Sequence, residues 1–123
     1  MILVDTSIWI DHLRHGEPVL VGLLGANAVV GHPLILGELA MGSLRERAKF
    51  LAALAKLPQA AVAANHEVMR VVEGHSLFGK GLGYIDAHLL ASVMLTPGTR
   101  LWTRDKTLMS SALAVGLDDP GFD

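Results

Sequence analysis

Ile2-Leu3-Val4-Asp5-Thr6-Ser7-Ile8-Trp9-Ile10 is the stretch whose reading decides the fold of this chain. Three apolar residues read as a buried strand, and the run stops at a carboxylate followed by two hydroxyls, the residue types that start helices. Asp5 therefore stands at the carboxyl end of a strand, the edge where open α/β sheets keep their sites. Working outward, hydrophobic periodicity predicts further strands over 28–30, 60–63 and 100–103. Helices are predicted over 6–14, 18–24, 33–42, 43–57, 65–77, 84–95 and 106–115. Strands alternating with helices imply a parallel sheet covered on both faces.

At 123 residues, 51% of them hydrophobic, the chain is long enough for one domain with a substantial core, and residues 1–123 are read as a single domain. No repeat, low-complexity tract or long linker divides it. A formal net charge of -2 gives no bulk attraction to nucleic acid, so such a partner would need a local basic patch. Zero cysteines exclude a disulfide framework and a thiolate metal site, which fits a cytoplasmic location. No basic segment precedes an apolar stretch and a cleavage site, so a signal peptide is not indicated. Residues 18–37 carry no formal charge and approach membrane-spanning length. Asn27, His32, Pro33 and four glycines break that run into a helix, a strand and a new helix, so buried core and no membrane is the better reading.

Carboxylates fall where a core needs none. Glu38 has Leu34 and Ile35 one turn before it and Met41 one turn after, so it interrupts an apolar stripe. Asp86, in Tyr84-Ile85-Asp86-Ala87-His88-Leu89-Leu90, shares a face with Leu89, Leu90 and Val93, with His88 and Ser92 assigned to the other side. Lone buried carboxylates cost several kcal/mol unless paired or bound to a metal. Asp5 and Asp105 sit beside helix starts and are equally suited to capping. Together the four acids can converge at one edge of the sheet, where they repel one another unless a hard divalent cation such as Mg²⁺ or Mn²⁺ joins them. Thr6, Ser7 and Thr103 are close enough in sequence to orient water there, and Thr6 or Ser7 serves equally as a helix cap.

Four segments, LVDTSIWIDHL, LGELAMG, GYIDAHLLAS and LWTRDKTL, resemble the signature segments of PIN-domain nucleases, with the closest likeness to VapC-type toxins. The similarity runs in order along almost the whole chain. It implies a three-layer α/β/α sandwich around a central, mainly parallel sheet, with Asp5, Glu38, Asp86 and Asp105 forming a catalytic metal site for Mg²⁺ or Mn²⁺. It further implies an endoribonuclease that hydrolyses RNA with a metal-activated water, serving as the toxin of a type II toxin–antitoxin system. A homodimer and a VapB-like antitoxin are the implied protein partners. Many relatives carry Asn between the hydroxyl and the acid of the fourth segment, where this chain has Arg104. Arg104 could hold a phosphate or neutralise Asp105, and Lys106 is a second candidate for phosphate contact.

Other readings fit less well. A receiver-type Mg²⁺-binding signalling domain wants an acidic pair after the first strand and a lysine ending a late one, whereas Thr6 follows Asp5 and Lys106 follows the last acid. A haloacid-dehalogenase-like phosphatase wants an acid at the position of Ser7. A non-catalytic binding module requires the acids to be paired structurally. His12 and His15 could meet on one helix, but no third histidine has zinc-ligand spacing with them, and surface or capping roles suit the histidines better. Arg45, Lys49 and Lys56 recur on one side of the fourth helical segment and read as a solvated face opposite Phe50, Leu51 and Leu54. The Gly79-Lys80-Gly81-Leu82-Gly83 stretch lacks the spacing of a phosphate-binding loop and reads as a turn.

Overall fold

Leu3 and Val4 are fully buried and belong to the strand on which everything else is built. In the computed structural model, which describes residues 1–122, β1 (Ile2–Val4) lies between β2 (Val29–Val30) and β3 (Arg100–Trp102). Both pairings are parallel, with Ile2 and Leu3 opposite Val29 and Val30, and Ile2, Leu3 and Val4 opposite Arg100, Leu101 and Trp102. All three strands therefore end on the same side. Asp5, His32 and Thr103 follow there, and the Asp5 amide donates to the Trp102 carbonyl at 2.9 Å, carrying the β1–β3 pair one step past the strands. This order and the helices around it form the expected α/β/α sandwich.

The helices are α1 (Thr6–His15), α2 (Pro18–Gly25), α3 (Pro33–Ala40), α4 (Arg47–Ala55), α5 (Asn65–Gly74), α6 (Tyr84–Met94) and α7 (Lys106–Ala114). Proline stands at the first position of α2 and α3, where its missing N–H costs nothing. The uncharged 18–37 run is divided among α2, β2 and the start of α3, and no described helix is long and apolar enough to cross a membrane. Ile8, Leu20, Leu89, Leu90 and Leu108 close over the sheet with no measurable exposure. Leu3→Ala, on the central strand, is expected to cost about 2–5 kcal/mol by leaving a cavity, read as a lower urea midpoint with an unchanged slope.

Two expected elements differ. The helix predicted over 43–57 begins only at Arg47, because residues 41–46 turn the chain, with Glu46 in the left-handed region at φ 46°. The Arg47 guanidinium closes that turn, donating to the Ala40 carbonyl at 2.8 and 3.1 Å. The strand predicted over 60–63 reduces to a single bridge between Gly31 and Gln59. Beyond it the amides of Ala61 and Ala63 donate to the side-chain hydroxyls of Thr96 and Ser92, so those backbone groups are satisfied without a strand partner.

Candidate active site at the carboxyl edge

Asp5 is 6% exposed and follows β1, yet its side chain makes no capping bond to α1. Its Oδ2 accepts instead from the hydroxyls of Ser7 and Thr103, each at 2.8 Å. Those hydroxyls are in turn held by main-chain donors: Arg104 N–H reaches Ser7 Oγ at 3.2 Å and Asp105 N–H reaches Thr103 Oγ1 at 3.0 Å. Thr6 Oγ1 donates to Glu38 Oε1 at 2.9 Å. The three hydroxyls expected to orient water thus give their single protons to carboxylates, so in this structure they orient the acids.

Asp105 keeps the capping role that its position suggests, Oδ1 accepting from Leu108 N–H at 2.9 Å while the residue stays exposed. Glu38 corrects the sequence reading more sharply. It is exposed, and Met41, counted as part of its apolar stripe, is 88% exposed, so the face it occupies is the open edge of the site and not core. Asp86, in the first turn of α6, is half-buried. Its carboxyl is pushed up from 3.8 to about 6, first by burial and then by the charges of Asp5, Asp105 and Glu38. The charges of acids after β1, on α3 and at the start of α7 therefore all reach Asp86 on α6.

The donor set is all oxygen, which suits a hard cation. Among the described residues, however, no group of three or more His, Asp or Glu side chains stands ready to enclose a metal ion.

Residues 2–111 match the family model for the PIN domain. The chain belongs to the PIN-domain family. It is 50% identical over 117 residues to "Ribonuclease VapC32" of Mycobacterium tuberculosis, in both strain CDC 1551 / Oshkosh and strain ATCC 25618 / H37Rv, an alignment covering 95% of this chain and 94% of each relative.

In this PIN domain Arg104 is committed elsewhere than to Asp105. Nη1 and Nη2 bind Asp11 Oδ2 at 2.6 Å and Glu17 Oε2 at 2.8 Å, and the guanidinium lies 5.7 Å from the centre of the Trp102 ring. Arg104 thereby ties the segment after β3 to α1 and to the start of α2. Its backbone, not its charge, serves the acids, through Ser7.

His32 is the residue that sequence reasoning passed over. It is 2% exposed; Nδ1 accepts from Leu34 N–H at 3.1 Å, capping α3, and Nε2 lies 2.9 Å from Ser92 Oγ. With Nδ1 accepting, Nε2 carries the proton. One imidazole thus joins the helix bearing Glu38 to the helix bearing Asp86. Ser92, assigned to the polar side of α6, is fully buried because that helix is covered on most of its circumference. The available signal was the proline at the first position of α3, which makes the preceding residue the N-cap. His12 has a similar local role, Nδ1 accepting from Glu17 N–H at 3.1 Å.

Proposed function

We propose that this PIN domain is the ribonuclease toxin of a type II toxin–antitoxin pair, cutting RNA at the edge where Asp5, Glu38, Asp86 and Asp105 meet. The observation that carries the reading is that the charges of Asp5, Asp105 and Glu38 all reach Asp86 and add to burial, the larger cause, in raising its carboxyl to about 6. Such crowding is unfavourable on its own and makes chemical sense for a site that takes up a cation. The half-identity to a protein named a ribonuclease supports RNA as the substrate.

Asp5, Glu38, Asp86 and Asp105 would hold Mg²⁺ or Mn²⁺. The cation supplies charge neutralisation at the phosphate and a nucleophilic water at neutral pH. The chain's own part is positioning. Ser7 and Thr103 fix the Asp5 carboxylate, Thr6 fixes Glu38, and Leu108 N–H fixes Asp105. Asp86, half-buried in the first turn of α6, brings the fourth carboxylate to that edge. Residues 1–123 act as one nuclease domain in the cytoplasm, where RNA is met. Exposed Met41, Val62, Met69, Phe78 and Leu95 support surfaces for a homodimer and for a VapB-like antitoxin.

Purified protein should cleave end-labelled RNA with Mg²⁺ or Mn²⁺ and lose that activity in EDTA. Induction of the chain alone should arrest growth, and co-expression of its antitoxin should restore it. Soluble protein that leaves RNA intact with either cation, and leaves growth unaffected, would overturn the proposal.

A further inference from the structure

The Gly79–Gly83 stretch, read from sequence as a turn, faces α7 across an open cleft of about 230 Å³ lined by Lys80, Lys106, Thr107, Ser110 and Ser111. Gly79 and Gly81 hold φ values of 72° and 80°, the left-handed conformation that glycine adopts without strain, and so fold the loop around Lys80. The loop leads into α6, which presents Asp86 in its first turn, and α7 begins immediately after Asp105. The two walls of the cleft therefore lead along the chain to Asp86 and Asp105.

Its chemistry is the opposite of its neighbours'. Among the described residues neither Lys80 nor Lys106 is ion-paired; the recorded ion pairs belong to Arg104. Thr107 and Ser110, one turn apart on α7, add hydroxyl donors beside the two ammonium groups. A polyanion approaching four carboxylates on a chain of net charge -2 needs local positive charge to offset the repulsion. Ammonium groups with flanking hydroxyls suit a phosphate diester, which lysine meets as a point charge.

We infer that Lys80 and Lys106 form a subsite for a backbone phosphate of the RNA, next to the one that is cut. The inference rests on the ribonuclease reading and adds to it the position of the strand: RNA runs from the acids along the groove between the 79–83 loop and α7. The two lysines position substrate and take no part in the chemical step.

The test uses the full chain and a short fluorescein-labelled single-stranded RNA, with binding measured by anisotropy in EDTA across a potassium chloride series. Each phosphate contact contributes about 0.7 to the slope of log affinity against log salt for single strands. Lys80→Ala/Lys106→Ala should therefore flatten the slope by about 1.4 and weaken binding on the order of tenfold at about 0.15 M salt. In Mn²⁺ the same variant should raise KM by a similar factor with kcat unchanged. Lys80→Arg/Lys106→Arg should restore the slope, and Lys49→Ala, on the solvated face of α4, should match wild type. A folded double-alanine variant with wild-type slope and KM would overturn the subsite while wild-type cleavage left the ribonuclease reading standing. Failure of the wild-type chain to bind or cut RNA would overturn both.

Discussion

Asp86→Asn is expected to lower metal-dependent RNA cleavage by at least about a hundredfold while raising the melting temperature of the EDTA-treated protein. Loss of activity follows from removing a ligand charge. The gain in apo stability follows from the sign of the Asp86 shift, which runs from 3.8 up to about 6. A raised folded value means that the native state binds more protons than the unfolded chain, so stability falls as pH rises through that window, and the loss persists above it. At neutral pH the penalty is up to about 3 kcal/mol. Asparagine removes the charge and the penalty together. Mn²⁺ should then stabilise wild type far more than the variant. Melts of both proteins in EDTA and in Mn²⁺ decide the point. An apo variant less stable than apo wild type, with equal responses to Mn²⁺, would make Asp86 a structural partner and remove it from the metal site.

His32→Ala should be among the most damaging single changes outside the acids, costing about 3–5 kcal/mol. It leaves a cavity under the sheet edge, takes the cap from Leu34 N–H and deprives Ser92 of its imidazole partner. His32→Asn, which retains an N-cap acceptor, should recover about 1 kcal/mol of that loss. Urea unfolding of the three proteins measures it, and a wild-type midpoint for His32→Ala would show that the imidazole is not a strut. The pH profile gives a second reading. Burial, reinforced by the charge of His88, lowers His32 from 6.5 to about 4. The native state there binds fewer protons than the unfolded chain, so stability is lost as pH falls from 6.5 towards 4. Asp86 acts in the opposite sense over nearly the same interval, so the apo protein should show a shallow profile between pH 4 and 6.5. Asp86→Asn should expose the steeper acid-side loss that His32 causes.

The positions of the acids were legible in the sequence because each violates a local rule. Asp5 ends an apolar strand, Asp86 lies on the buried flank of a helix, and Asp105 follows the last strand at a helix start. Glu38 was found for a weaker reason: its apolar stripe includes a residue the fold leaves in solvent, yet Thr6 brings its carboxylate to the same edge. The helix order was legible too, since periodicity and prolines at first helical positions are properties of neighbouring residues. Boundaries at 43–46 and 60–63 were not, because an arginine reaching Ala40 and two hydroxyls on α6 supply hydrogen bonds that no window of sequence contains.

By itself, then, the sequence determined which residue types stand at strand ends and helix starts, because capping, strand burial and helical period act over a few residues. Only the tertiary structure decided how they are used. The parallel order β2–β1–β3 sets Thr103 against Asp5 across 98 positions and His32 against Ser92 across 60. The same packing turns the Arg104 charge toward Asp11 and Glu17 and brings Lys80 opposite Lys106. Each of these pairings depends on where a whole strand or helix lies and how it is rotated about its axis. That is fixed by burying the apolar faces of all the elements at once, and no local preference encodes it.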